Sequence, residues 1–324
     1  MLTFIARRLL YSIPVLVAAS FLIFVFVSLS SNPLADLYSN VHLTAADRKV
    51  IAHAKHLDQS VFERYWLWVQ DAVLHRFGNN LSNGDPVWPN LERVLKHTIM
   101  LLVIVLVLSV LIGVVVGIYS AIRQYSLFDY TATTVSFVGF AMPVFWLALI
   151  LQVIFTNVYL TWHVRIFYTA QLWSPDPGGG LHKILDLAQH LALPVIALCA
   201  LSVAGYSRYM RASMLEVINS DYTRTARAKG LPEWRVIGKH VFRNALIPLT
   251  TQIAIDFGAL FAGAFVTEQV FTLDGMGHYF VVALTSGDPY PVMAWLMVVA
   301  VMVIIFNLIA DLMYGFLDPR IRYD

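Results

Sequence analysis

Asp256 sits inside an apolar stretch that begins near Ala245, and Gln252 precedes it by one helical turn. At 1.5 Å per residue, Asp256 lies about 16 Å along such a helix from Ala245, near the middle of a bilayer. An ionisable group at that depth is costly, so it marks either a path for polar cargo, protons or ions, or a polar clamp between helices. Gln252 shares its face at the i, i+4 spacing and can hydrogen-bond it. The residue types leave lining and clamping both open. By the same count Glu268 lies about 34 Å along the helix and is expected near the outer surface, with Asp311 at the inner end of the last apolar stretch.

Other constellations carry less. His53 and His56 are three apart on a helical pattern, as metal ligands could be, but no third ligand joins them, so a solvated face is expected and no metal. Gly238-Lys239 imitates the end of a phosphate-binding loop, yet His240 follows it and Glu233 stands where the first glycine is needed. No nucleotide site is expected in the chain. Intramembrane catalysis would need a nucleophile with its base, or His-Glu-x-x-His, within the apolar stretches, and neither occurs there. The single cysteine, Cys199, lies in an apolar run and reads as a small packed side chain.

These residues must be held by membrane helices. The chain has 324 residues, 59% of them hydrophobic and 13% charged, with a mean hydropathy of +0.69. Ordinary globular chains are about 45 to 50% apolar and about 25% charged. Disorder, collagen and a disulfide framework are excluded, and a net charge of +2 gives no reason to expect nucleic acid. A helix needs about 20 residues to cross the hydrocarbon. Six candidates appear: Leu9 to Leu29, Thr98 to Ala121, Thr131 to Thr156, Ala188 to Tyr206, Ala245 to Phe271 and Pro291 to Phe316. Their apolar runs are continuous, unlike the alternating segments of barrel strands.

An even number of spans places both termini on one side, and basic residues choose the side. Arg7, Arg8, Arg123, Arg320 and Arg322, with eight basic residues from Arg208 to Arg243, make 13 of the 22 Lys and Arg. The positive-inside rule then makes both termini cytoplasmic. The first apolar stretch is too long for a secretory signal and lacks a small-residue cleavage site, so it is expected to stay as an anchor. The expected organisation is an anchor helix (1–29), an outer cap segment (30–97), a five-helix core (98–316) containing cytoplasmic segment 207–244, and a tail (317–324).

Segment 207–244 is the informative one. Connections in helical bundles usually take about 2 to 8 residues, so its length needs a reason. Asp221 to Lys229 reads as a short helix with an acidic residue at its positive end. Gly230-Leu231-Pro232-Glu233 reads as a stop and a new start, and a second helix from Glu233 to Arg243 leads into the fifth span. A capped helix, turn and helix facing the cytosol suggest a docking surface. The plain alternative is a solvated connector whose arginines fix topology. In the membrane, Gly258 and Gly263 allow close helix approach, while Pro143 and Pro194 bend helices or free carbonyls.

The run Asp221-Tyr222-Thr223-Arg224-Thr225-Ala226-Arg227-Ala228-Lys229-Gly230-Leu231, with Arg243-Asn244-Ala245-Leu246-Ile247-Pro248, resembles the cytoplasmic loop of ABC importer permeases of the oligopeptide, dipeptide and nickel branch. Arg7-Arg8-Leu9, Pro86-Val87, Arg93, Thr98, Gly139-x-x-x-Pro143, Gly275-Met276-Gly277, Asp288-x-Tyr290-Pro291 and Asp318-Pro319-Arg320 extend the resemblance over nearly the whole chain. Arg224 and Thr225 replace the Glu and first Ala of the generic loop, as in this branch, and Gly78 to Ser82 is a looser match.

The resemblance implies an all-α integral membrane protein with the type I importer permease fold, six transmembrane helices and a short coupling helix. It implies a second homologous permease, two ATPase subunits or one fused ATPase that bind ATP and Mg, and an extracytoplasmic peptide-binding protein. The location would be the inner membrane, and the permease would do no covalent chemistry. Coupling to the ATPase would fall to Asp221, Tyr222, Arg224, Thr225, Ala226, Arg227, Ala228, Gly230, Leu231, Pro232 and Glu233. From the residues themselves, and not from the resemblance, Gln252, Asp256 and Gly258 are the candidates for the translocation path, with Pro143 shaping it. Peptide is the expected cargo, with nickel as the alternative within the branch. An ion-coupled transporter or channel using Asp256 is the alternative from another class, although no internal repeat supports it.

Overall fold

The structure is a computed structural model that describes residues 2–30, 44, 46, 49–50, 53, 58–74, 76–80 and 84–317. The side chains of 2–4, 30, 251, 254–255, 257–259, 262–263, 310–311 and 313–317 are excepted. His56, most of the cap segment before Asp58, the tail motif Asp318-Pro319-Arg320 and the surroundings of Gly258, Gly263 and Asp311 therefore lie outside the described residues.

The described chain is helical, with one isolated bridge between Asn79 and Pro86. In chain order the helices are α1 (Leu2–Ser30), α2 (Val61–Val73), α3 (Val87–Ile122), α4 (Leu127–Ala141), α5 (Val144–Trp162) and α6 (Leu181–Ile218). They continue with α7 (Asp221–Ala228), α8 (Glu233–Arg235), a π-helical turn (Val236–Val241), α9 (Phe242–Val270), α10 (Met276–Thr285) and α11 (Pro289–Leu317). Five of the described helices, α1, α3, α5, α6 and α11, are long and apolar enough to cross a membrane. The remaining expected span, Ala245 to Phe271, is a continuous helix within α9, some of whose side chains are not described.

Three expected boundaries move, each for a local reason. The third span is not one helix: α4 ends at Ala141 with Met142 as its C-cap, and Pro143 is the N-cap of α5. Proline disfavours helical geometry in the residue before it, and Met142 is extended, with φ −81° and ψ 125°. The fourth span runs on to Ile218, because neither Pro nor Gly interrupts it after Gly205, and Tyr206, Met210 and Met214 present a buried stripe at i, i+4, i+8. The second span likewise starts eleven residues before Thr98, at Val87, with Val87, Leu91 and Val94 buried.

The chain divides into two compact units. The first comprises Met1–Lys96 and Tyr279–Ile305. Here Ser60 caps α2: its hydroxyl accepts from the Glu63 amide, and the Glu63 carboxylate accepts from the Ser60 amide at 3.0 Å. So fixed, α2 lays Phe62, Tyr65 and Trp68 against Phe21 and Phe24 of α1, and a ring-to-ring chain continues through Phe77 to Trp88. The second unit comprises His97–His278 and Phe306–Asp324. Its centre is α6, which packs against α4, α5 and α9. On the α3 side, Gly113 and Gly117 admit the backbone of α6 at Tyr206 to Arg211, where a Cβ would meet Met210 at 2.6 Å. One cluster of this unit gathers Leu101, Val105, Leu191, Leu198 and Phe271, and another gathers Tyr206, Met210, Met214, Val236, Val241 and Leu249.

Candidate functional site

Two features of the second unit can act on something outside the chain: the helical hairpin at α7 and α8, and a cavity beside Asp256. The hairpin begins at Ser220, the N-cap of α7, whose hydroxyl donates to the Val217 carbonyl at 2.7 Å. Thr223 is buried and its hydroxyl donates to the same carbonyl at 2.9 Å. Ala226 is also buried, packed in the cluster around Met210 and Val236. Together Thr223 and Ala226 seat α7 on the core.

The opposite face is open. Asp221, Tyr222, Arg224, Thr225, Ala228, Lys229, Gly230, Pro232, Glu233 and Trp234 are all exposed. Arg227 and Glu233 close the hairpin through two hydrogen bonds, Nε to Oε2 at 3.1 Å and Nη2 to Oε1 at 2.7 Å, while Nη1 reaches the Ile218 carbonyl. The guanidinium holds the Glu233 carboxyl below its usual range. Gly230 sits at the turn with φ +74°, which a side chain would strain, and its amide donates to the Arg227 carbonyl at 2.9 Å. Pro232 is the N-cap of α8. Of the eleven residues expected on a coupling surface, Ala226 thus turns inward, Arg227 and Glu233 bind each other, and the rest are outward or, for Leu231, half-buried.

The second helix of the hairpin differs from the sequence expectation. It makes one short α turn and then widens into the π-helical turn before α9. Val236 and Val241 are both fully buried, and five residues is the hydrogen-bond step of a π-helix, so the wider turn keeps both facing the core. Trp234 was not singled out by sequence. It is 69% exposed, with the Arg235 guanidinium 4.9 Å from its ring centre. A tryptophan in the turn was the available signal, since tryptophan is enriched among the anchors of protein interfaces.

The cavity measures about 380 Å³ and lies among α4, α5, α6 and α9. Asp256 and Gln252 line it together, with Gln252 Nε2 donating to Asp256 Oδ1 at 2.8 Å. The pair expected from spacing is therefore formed, and it faces an open space. Pro143 is not among the lining residues; its neighbours Phe140 and Val144 are. The helix break at Met142 and Pro143 thus shapes this wall without supplying it. Arg208, one of the basic residues that fix topology, also lines this cavity, with its guanidinium 4.4 Å from the Phe140 ring centre. Its position two residues after Tyr206, on the continuing α6, brings it there.

Glu268, expected by its depth near the outer surface, is 1% exposed within the chain. The turn after α9 folds back over the helix end, so Thr98 donates to Oε1 at 2.6 Å and the Gly277 amide donates to Oε2 at 2.6 Å. Thr98 in turn accepts from the Met276 amide at 2.8 Å. Gly275-Met276-Gly277 is thus the cradle of this carboxylate. Among the described residues no group of three or more His, Cys, Asp and Glu is placed to hold a metal.

Comparison with known proteins agrees with this architecture. Residues 113–323 match the model of the binding-protein-dependent transport system inner membrane component family. The chain is 36% identical, over its whole length and the whole of the relative, to the oligopeptide transport system permease protein AppB of Bacillus subtilis (strain 168). It is 32% identical to the dipeptide transport system permease protein DppB of Escherichia coli (strain K12), covering all of this chain and 99% of the relative. A solved amino acid ABC transporter with histidines superposes with a TM-score of 0.52 at 14% identity, over 71% of this chain and 94% of that one, which is a likeness of fold. The helical membrane architecture and these full-length relatives, permease subunits and not ATPases, converge: the chain belongs to the binding-protein-dependent transport system inner membrane component family of ABC importers.

Proposed function

We propose that this chain forms one half of the pathway through which an ATP-driven importer moves peptides across the cytoplasmic membrane. The observation that carries the reading is the hairpin of α7 and α8: a helix seated by Thr223 and Ala226, locked by Arg227 and Glu233, with its polar outer face and Trp234 left uncovered. Such a surface fits a groove on an ATPase subunit. Both termini and the hairpin lie on the cytoplasmic side, where the basic residues concentrate. The full-length likeness to oligopeptide and dipeptide permeases favours peptide as cargo.

In this mechanism a second, homologous permease completes the path, and two ATPase subunits, or one fused ATPase, bind ATP and Mg. Closure of the ATPases draws the hairpins together. The motion passes through the π-helical turn into α9, which carries Gln252 and Asp256, and through α6, which carries Arg208. An extracytoplasmic peptide-binding protein delivers cargo to the outward-open state. The division into anchor (1–29), cap segment (30–97), core (98–316) and tail (317–324) follows those roles.

The test is reconstitution in vesicles with the partner permease, ATPases and binding protein. Uptake of labelled oligopeptide should need all components and ATP, and peptide-loaded binding protein should raise ATP hydrolysis. Uphill uptake by this chain alone would overturn the reading, and uptake of nickel instead of peptide would replace the cargo.

A further inference from the structure

The cavity beside Asp256 carries two opposite charges with unused hydrogen-bonding capacity. Asp256 spends Oδ1 on Gln252, and among the described residues Oδ2 accepts no hydrogen bond. Arg208 spends Nε on the Ala204 carbonyl at 3.2 Å and rests its plane near the rings of Phe137 and Phe140, and its two terminal nitrogens have no partner among the described residues. Both side chains are half-buried and line the same space. They are not bonded to each other. An anion and a cation left apart on the wall of one cavity remain available to a ligand that brings both complements.

The rest of the lining is apolar or hydroxylic, and includes Phe140, Val144, Leu198 and Leu260 with Ser202 and Tyr209. That is the composition of a small-molecule site, an apolar container with few polar groups that fix orientation. At about 380 Å³ it falls at the small end of such sites, which run from about 300 to 1,000 Å³. We propose that this cavity is a station for short peptides with free ends, Asp256 receiving the terminal ammonium and Arg208 the terminal carboxylate.

The chemistry of each end suits its residue. A guanidinium presents several donors in one plane and takes a carboxylate through two parallel bonds, and the aromatic rings behind Arg208 keep that plane oriented. An ammonium donates to Asp256 Oδ2 while Gln252 holds Oδ1, so the carboxylate keeps its direction with or without cargo. In a site removed from bulk water these contacts are stronger than at a surface. Each replaces hydration that the peptide leaves behind on entering the membrane. The cavity thereby selects for the zwitterion and against peptides blocked at either end, independently of what an external binding protein selects.

This inference rests on the peptide reading above. Its test uses the complete assembly, with Asp256→Asn, Asp256→Glu, Arg208→Gln and Arg208→Lys in this chain. Binding of labelled dialanine to the nucleotide-free complex is measured without the binding protein, with N-acetylated and C-amidated dialanine as competitors. Dialanine should bind the wild-type complex and be displaced at least tenfold less well by either blocked form. Asp256→Asn should weaken dialanine at least tenfold and erase only the penalty for acetylation. Arg208→Gln should do the same for amidation only, with Arg208→Lys and Asp256→Glu restoring part of each preference. Loss of every preference together in both neutral variants would overturn the assignment of ends. If the wild-type assembly imports peptide while the variants bind and import it unchanged, the station is refuted and the peptide reading stands. If the wild-type assembly imports no peptide, the reading itself fails.

Discussion

Asp129 and Arg211 meet through two hydrogen bonds, Nε to Oδ1 at 2.6 Å and Nη2 to Oδ2 at 2.8 Å, and so tie the start of α4 to the extension of α6. Asp129 is buried, and its Oδ2 also accepts from the Tyr125 amide at 3.0 Å. The Arg211 guanidinium holds the Asp129 carboxyl at about 2, below the ordinary 3.8. Because the folded value is the lower one, the contribution is complete above the ordinary value and is lost as pH falls through about 2. The gap corresponds to about 2 kcal/mol. Melting of the purified protein followed from pH 5 downward should show this decline, and Asp129→Asn should flatten it. At pH 7 that variant should lose about 3 kcal/mol, since it leaves Arg211 partly buried without its counter-charge.

Gly230 has no heavy atom within 4 Å of the place its Cβ would take, so space inside the chain does not demand glycine there. Its φ of +74° does. Gly230→Asn keeps the left-handed turn tolerable and should cost less than about 1 kcal/mol of stability, whereas Gly230→Val should cost more. Both place a side chain on the proposed ATPase face. Uptake in reconstituted vesicles should fall at least tenfold in both, with normal membrane insertion. Full uptake by Gly230→Asn would confine the role of the glycine to backbone geometry.

Trp234 offers a sharper separation of folding from docking. It touches little of its own chain beyond the Arg235 guanidinium, so Trp234→Ala should leave the melting temperature of the isolated permease within a degree or two. Aromatic anchors at interfaces often contribute about 2 kcal/mol, so the variant should hold its ATPase partner at least tenfold less tightly. Titration of purified ATPase against wild-type and variant permease measures this. Equal affinities would move the docking surface elsewhere.

The sequence made the helical membrane class, the hairpin and the Gln252–Asp256 pair legible because each depends on short-range rules. Twenty apolar residues must cross the bilayer as a helix, glycine followed by proline must stop one helix and start another, and residues four apart share a face. What escaped was set by distant neighbours. Arg208 and Arg211 look alike as basic residues of one segment, yet one turns to a cavity and the other to Asp129, 82 residues away. Glu268 was placed by its distance along the helix, and no such count reveals that Thr98 and Gly277 close over it. Gly113 and Gly117 are adjacent to bulky residues in sequence and gain meaning only where α6 crosses them.

The cradle of Glu268 yields a prediction about stability alone. A Cβ on Gly275 would fall on the Glu268 carboxylate, and that carboxylate is held by Thr98 and the Gly277 amide, so it cannot swing aside without abandoning both bonds. Gly275→Ala should therefore destabilise the protein by about 1 to 3 kcal/mol through overpacking. Combining it with Glu268→Ala removes the collision but leaves the Gly277 amide and the Thr98 hydroxyl without their acceptor, a cost of about 1 to 3 kcal/mol for each buried group. The double variant should consequently be no more stable than Gly275→Ala, and Thr98→Val added to it should recover nothing, since it removes one stranded hydroxyl but strands the Met276 amide that this hydroxyl accepts from. Melting temperatures of the series in one detergent test this order. A double variant restored to wild-type stability would mean that steric fit, and not the buried hydrogen bonds, fixes the turn over α9.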